Sequence, residues 1–207
     1  MYIMKVRILF LICFLSITCL LNAADKPVIQ IHTDNSSLIF RVADNGRLYQ
    51  SYLGKKLNHE ADISHLPQGT EAYITHGMED YFEPAIHILH NDGNPSLLLK
   101  YVSHETKAVS QGVNETIITL GDDKYPVTVK LHYVTYPAED IIKTYTEISH
   151  KEKKPVVLHQ YASSMLHLNR AKYYLTEFSG DWAHEANISD QPLEFGKKVL
   201  DTKLGAR

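Results

Sequence analysis

Val127-Thr-Val-Lys-Leu-His-Tyr-Val-Thr-Tyr136 is the stretch whose reading decides the fold. Val127, Val129, Leu131 and Tyr133 fall on one face of an extended chain, with Thr128, Lys130 and His132 on the other. Successive side chains of a strand point to opposite faces, so this period-2 pattern predicts a half-buried strand. The residues are also mostly β-branched or aromatic, the types that pack well on a pleated surface. Ile141–Ile148 repeats the pattern, with Ile142, Thr144, Thr146 and Ile148 together. On the N-terminal side, Thr116–Leu120 is joined to the deciding stretch by Gly121-Asp122-Asp123-Lys124, which reads as a hairpin turn.

Farther out, Val28–His32 and Leu38–Val42 flank the polar cluster Thr33-Asp34-Asn35-Ser36. Asp44-Asn45-Gly46 then turns the chain into Leu48–Leu53, because Asn and Gly tolerate positive φ. Ala85–His90 and Leu97–Ser103 bracket Asn91-Asp92-Gly93-Asn94-Pro95, which reads as the clearest hairpin of the chain. The charged turn Lys151–Pro155 leads to an expected strand over Val156–Leu168, and Leu193–Leu200 is expected to begin another. No window of helical length shows an i, i+3, i+4, i+7 stripe. The expectation is an all-β domain built as an antiparallel two-sheet sandwich.

The chain has 207 residues, 44% hydrophobic and 22% charged, which suits a single globular domain with a sizeable core. Its formal net charge is −3, without a basic excess, so nucleic acid is not an expected partner. Lys5 and Arg7 precede the apolar run Ile8–Leu21, and Asn22-Ala23-Ala24 supplies small residues for cleavage. Fourteen residues fall short of the roughly twenty that a membrane span needs. Residues 1–23 therefore read as a signal peptide, leaving a domain at 24–207 that meets a membrane only during export. The expected location is the periplasm or the exterior. Cleavage would leave 19 basic against 24 acidic residues, a net charge of −5. It would also remove both cysteines, Cys13 and Cys19, and with them disulfides, thiolate catalysis and Cys-ligated zinc.

Twelve histidines raise a metal hypothesis. His87 and His90 are spaced i, i+3, which on a strand sends the rings to opposite faces. His65 with His76, or His159 with His167, could meet only through the tertiary fold, and neither a metal nor another cofactor is expected. There is no Gly-x-Ser-x-Gly elbow, and Ser163-Ser164 falls inside an expected strand. Asp80, Glu83, Asp140 and Glu185 have the right chemistry for glycoside hydrolysis, but nothing in the spacing selects a pair. Tyr73 to Ala85, with Gly77 before Glu79-Asp80-Tyr81-Phe82-Glu83-Pro84, reads as a structured surface loop. It could present aromatics and carboxylates to a sugar, or be a plain connection with solvated acids. Phe178-Ser-Gly180-Asp-Trp182-Ala-His184-Glu185 holds the only Trp, either a core plug or a ligand platform.

Taken in order, these clusters resemble the N-terminal β-supersandwich domain of family-36 glycoside hydrolases, the microbial α-galactosidases, across residues 28–207. Leu48-Tyr49-Gln-Ser-Tyr52-Leu53-Gly54-Lys55-Lys56-Leu57 resembles the family's opening strand. Tyr73 to Ala85 resembles its Tyr-Pro-x-x-Gly-x-x-Asp-Phe-Arg-x-Pro-Ala loop, and Gly180–Glu185 its Gly-x-Trp-Ala-x-Glu segment. Thr202-Lys203-Leu204-Gly205 resembles the start of a Ser-Arg-x-Gly-x-Ser-Ser segment. Three departures stand out: Ile74 replaces the loop Pro, Phe82 replaces the Arg two residues after Asp80, and His184 stands where a basic residue is common.

The resemblance implies a division of labour. Chemistry belongs to a following (β/α)₈ barrel with two catalytic aspartates, and the chain is expected to stop short of it. No catalytic residue is assigned to this chain. The domain is expected to support the barrel, to make contacts in a homo-oligomer and to shape the edge of a pocket for an α-galactoside or related carbohydrate. Asp80 is the candidate hydroxyl-binding carboxylate, because an acceptor-only group suits sugar OH donors, and Trp182 is the candidate platform. The alternative from another class is a free-standing carbohydrate-binding or structural β-sandwich.

Overall fold

The structure, a computed structural model, describes residues 26–77, 83–168, 172–181, 184–194 and 196–201. The expected all-β antiparallel fold is present. One four-stranded sheet contains β1 (Val28–His32), β2 (Ser36–Val42), β3 (Leu48–Lys55) and β4 (Thr70–Glu71), in that order. A five-residue helix, α1 (Glu60–Ser64), lies between β3 and β4. Ile63 of α1 is buried, and its carbonyl accepts a hydrogen bond from the Arg41 guanidinium of β2.

After β5 (Ile86–Leu89) comes a second four-stranded sheet, a meander of β6 (Leu99–Ser110), β7 (Val113–Asp122), β8 (Val127–Tyr136) and β9 (Ile141–His150). The deciding stretch becomes β8 in the expected register, with Val127, Val129, Leu131 and Tyr133 all buried. They join Ile118 and Leu120 of β7 against Ile29, Ile31, Leu38 and Phe40 of the first sheet in one apolar cluster. The rings of Phe40 and Tyr133 lie 5.1 Å apart across this interface. Two sheets closing over a shared apolar layer make the sandwich.

Two expectations fail because of contacts between segments distant in the sequence. The turn at Asn91–Pro95 forms, with Gly93 N donating to His90 O at 2.9 Å, but β5 and β6 do not pair. His90 stacks on Tyr125 with centroids 3.6 Å apart, and its Nδ1 lies 2.7 Å from Glu152 Oε1. That pair ties the end of β5 to the connection after β9, and β5 pairs instead with β10 (Val157–Tyr161). Beyond Tyr161 the expected strand does not continue to Leu168. Ala162 N donates to Ala85 O at 2.7 Å, and Gln50 then captures the backbone of His167 at 3.1 and 2.7 Å. Ser163-Ser164 therefore lies outside any strand.

The last two strands, β11 (Tyr174–Asp181) and β12 (His184–Pro192), form a separate two-stranded hairpin. Leu193 N closes it on Tyr173 O at 2.8 Å, and no strand follows among the described residues of 193–201.

Candidate functional site

Asp80 and Trp182, the two candidates named from the sequence, lie outside the described residues. The frame on each side of them is described. Ahead of Asp80, Tyr73, Ile74 and Thr75 are buried, so this part of the expected surface loop is core. Tyr73 Oη donates to Ala162 O at 2.8 Å, and Thr75 Oγ1 donates to Leu97 O at 2.6 Å. Burial holds the Tyr73 phenol above its ordinary pKa, so it stays a neutral donor. Thr75 makes a parallel bridge to Ile86, and His76 N donates to Ile86 O at 3.0 Å. The chain therefore departs at His76 and returns to the same place at Ile86.

Gly77 is required where the chain departs. Its φ is +86°, and a Cβ there would sit 3.1 Å from Ser96 Cα. On the return side, Glu83 accepts from Lys197 Nζ at 2.9 Å and Gln160 Nε2 at 3.4 Å. The Lys197 contact is the main reason that its carboxyl titrates below the ordinary value. Gln160 Nε2 also donates to Pro84 O at 2.7 Å, fixing the return to β10.

Around Trp182 the frame is the β11–β12 hairpin, in which Asp181 pairs with His184 and Phe178 with Ile188. The register shifts between Ser179 and Asp181, at Gly180. Tyr174, Phe178 and Ile188 are 70%, 54% and 66% exposed.

The remaining candidates disperse. Asp140 accepts from Thr33 Oγ1 and from Ser36 Oγ, the latter at 3.1 Å, and links the β1–β2 turn to the turn before β9. Glu185 is exposed on β12. His65 Nδ1 binds Ala61 O at 2.6 Å beside its own helix, and His167 Nε2 binds Glu71 O at 2.7 Å. Neither suggested histidine pair meets. His87 and His90 diverge as their spacing requires. His76, His87 and His159 do come together, ring on ring, from three segments that no sequence spacing connects. No group of three or more metal-ligating side chains occurs among the described residues.

A network around the buried Glu115 and His132, on the outer face of the meander, was missed. Glu115 Oε1 accepts from Tyr145 Oη at 2.6 Å and lies 2.9 Å from His132 Nδ1, while Lys107 Nζ is 2.9 Å from Oε2. These donors, Tyr145 foremost, pull the Glu115 carboxyl down to about 2. The signal was available in the β7–β8 hairpin. Carrying its register three positions past Ile118↔Leu131 places Glu115 beside Val134, on the face that His132 shares. The expected strand began one residue too late, at Thr116, to include it.

The glycosyl hydrolase family 36 N-terminal domain profile matches residues 46–207. A probable α-galactosidase G of Aspergillus terreus is 24% identical over 142 residues, 62% of this chain and 20% of its own length. An α-galactosidase C of Emericella nidulans is 25% identical over 142 residues, 62% of this chain and 19% of its own. The chain thus spans about a fifth of these relatives. Among solved structures, a Lactobacillus brevis α-galactosidase superposes with a TM-score of 0.70 at 21% identity, over 82% of this chain and 28% of that one. A family-36 α-galactosidase of Geobacillus stearothermophilus gives a TM-score of 0.73 at 19% identity, over the same shares of the two chains. From residue 46 onward, this chain belongs to the glycosyl hydrolase family 36 N-terminal domain family.

Proposed function

We propose that the chain is the non-catalytic N-terminal domain of a secreted, retaining α-galactosidase-like enzyme. In this reading it braces a catalytic barrel, contributes to homo-oligomer contacts and forms one edge of the sugar pocket. The two carboxylates that perform retaining hydrolysis belong to the barrel, one as nucleophile and one as acid/base. Export follows from the basic and apolar segments at Lys5–Leu21.

The observation that carries the proposal is the exposed apolar surface of the C-terminal third. Val157, Tyr161, Leu166, Leu168, Tyr174, Phe178 and Ile188 are each between 46% and 70% exposed, although the inter-sheet core is closed. A soluble monomer rarely leaves that much apolar surface uncovered, and a barrel packed on β10–β12 would cover it. The Geobacillus neighbour has been solved in variant form with raffinose and with stachyose. We infer α-galactosyl oligosaccharides as the substrate class of the whole enzyme, with Asp80 accepting from a sugar hydroxyl and Trp182 offering a stacking face.

The test has two arms. The intact mass of the natural secreted product should exceed the 23.6 kDa of these 207 residues several-fold, as in relatives of which this chain covers a fifth. That product should hydrolyse an α-galactoside, while purified residues 24–207 should not. A short secreted product that binds galactosides unaided would replace the proposal with a free-standing binding module.

A further inference from the structure

His76 follows the Thr75 bridge, His87 lies in β5, and His159 is the extra residue where the register of β10 on β5 shifts between Leu158 and Gln160. The rings of His76 and His87 stack with centroids 3.7 Å apart and planes 22° from parallel. His87 and His159 continue the row at 4.8 Å and 36°. Among the described residues, the ring nitrogens of all three make no hydrogen bond. The backbone bridge and the β10–β5 pairing bring the three segments together, and the imidazoles meet each other there through ring contact alone.

Besides Tyr161, His87 and His159 are the only ionisable side chains on β5 and β10. His90, just past β5, is occupied by Glu152, and Glu83 on the returning chain is occupied by Lys197. The protonation of His87 is disfavoured first by partial burial and then by His76 and His159 on either side, which hold its pKa below the ordinary value. Neutral imidazoles stack favourably, whereas two imidazolium rings at this separation repel.

We propose that the His76–His87–His159 stack is a proton-operated joint between three chain segments. With its rings neutral it clamps the Thr75–Gly77 segment and β10 onto β5, and charging of adjacent rings releases them. A histidine with a depressed folded-state pKa stabilises the fold above its unfolded value, about 6.5, and that contribution is lost as the pH falls. The joint is therefore closed at neutral pH and loosens under mild acid. The reading does not depend on the glycosidase assignment.

Imidazole NMR titration of the purified protein, read with amide exchange at His76, tests this directly. The His76 amide donates to Ile86 O, so its protection reports whether the segment is seated. The expected His87 midpoint lies below that of a free histidine and moves up in His76→Phe and in His159→Phe, which keep a ring but remove a charge. Protection at residue 76, corrected for the intrinsic pH dependence of exchange, should fall about tenfold between pH 8 and pH 5. In His87→Phe the fall should be less than about twofold; His159→Phe, at the exposed end of the row, serves if that variant does not fold. A His87 midpoint unmoved by both outer substitutions, or protection that stays constant while the rings charge, overturns the proposal.

Discussion

Phe40, Ile118 and Val129 are sealed between the two four-stranded sheets, whereas Tyr174, Phe178 and Ile188 on the last hairpin are more than half exposed. The side-chain chemistry is the same in both regions; only the neighbours differ. In the sandwich, each buried face meets an opposing sheet at close-packed distance, and apolar area leaves water on both sides. The β11–β12 hairpin has two strands and no opposing layer among the described residues. Such a ribbon is marginally stable in water unless something packs against it. The first region is folded by its own residues, and the second leaves its apolar face uncovered.

Substitutions separate the two regions sharply. Phe40→Ala or Ile118→Ala should destabilise the protein by about 3–5 kcal/mol, by loss of burial and creation of a cavity, as measured by urea denaturation. Glu115→Gln tests the outer face of the same sheet and should cost about 1–2 kcal/mol at neutral pH, because a charged acceptor loses several donors. The folded-state pKa of Glu115, about 2, lies below the ordinary 4.5, so its contribution is present above 4.5 and fades as the pH falls toward 2. Wild-type and variant midpoints should therefore converge in acid; a gap that persists at pH 2 would remove the carboxylate from the explanation. At the far end of the scale, Phe178→Ser and Ile188→Ser should change the stability of the isolated chain by less than about 0.5 kcal/mol. In the longer enzyme that we propose, the same changes should weaken it measurably, and equal effects in the two settings would argue against a covering partner.

The sequence revealed elements whose partners were adjacent in the chain and missed those assembled over distance. The β1–β2, β2–β3 and β7–β8 pairings follow from period-2 alternation and turn residues alone, and β9 repeats the pattern of β8 beside it. β5 was misassigned because a sound turn at Asn91–Pro95 implied that its flanks pair, while the buried His90–Glu152 contact sent β5 to a strand some seventy residues later. Leu193–Leu200 has the composition of a strand, but no strand forms among its described residues. The histidine row illustrates the limit most clearly. His76, His87 and His159 meet because the chain leaving at His76 returns beside it at Ile86 and β10 pairs with β5, and neither contact leaves a spacing in the sequence. Asp80 and Trp182 came from the resemblance to a family and not from periodicity.

Gln50 is buried in β3, and both ends of its side-chain amide are taken by the backbone of His167, 117 positions later. On a ribosome adding roughly 5–20 residues per second, that partner arrives on the order of ten seconds after Gln50 itself. Until then the amide must stay in contact with water or with a substitute donor and acceptor, so the first sheet cannot complete its surface as it is made. Completion waits for a segment beyond β10, and a nick anywhere in between would leave Gln50 dependent on a fragment held only by non-covalent contacts. A single glutamine thus makes the order of synthesis matter to when this domain is finished.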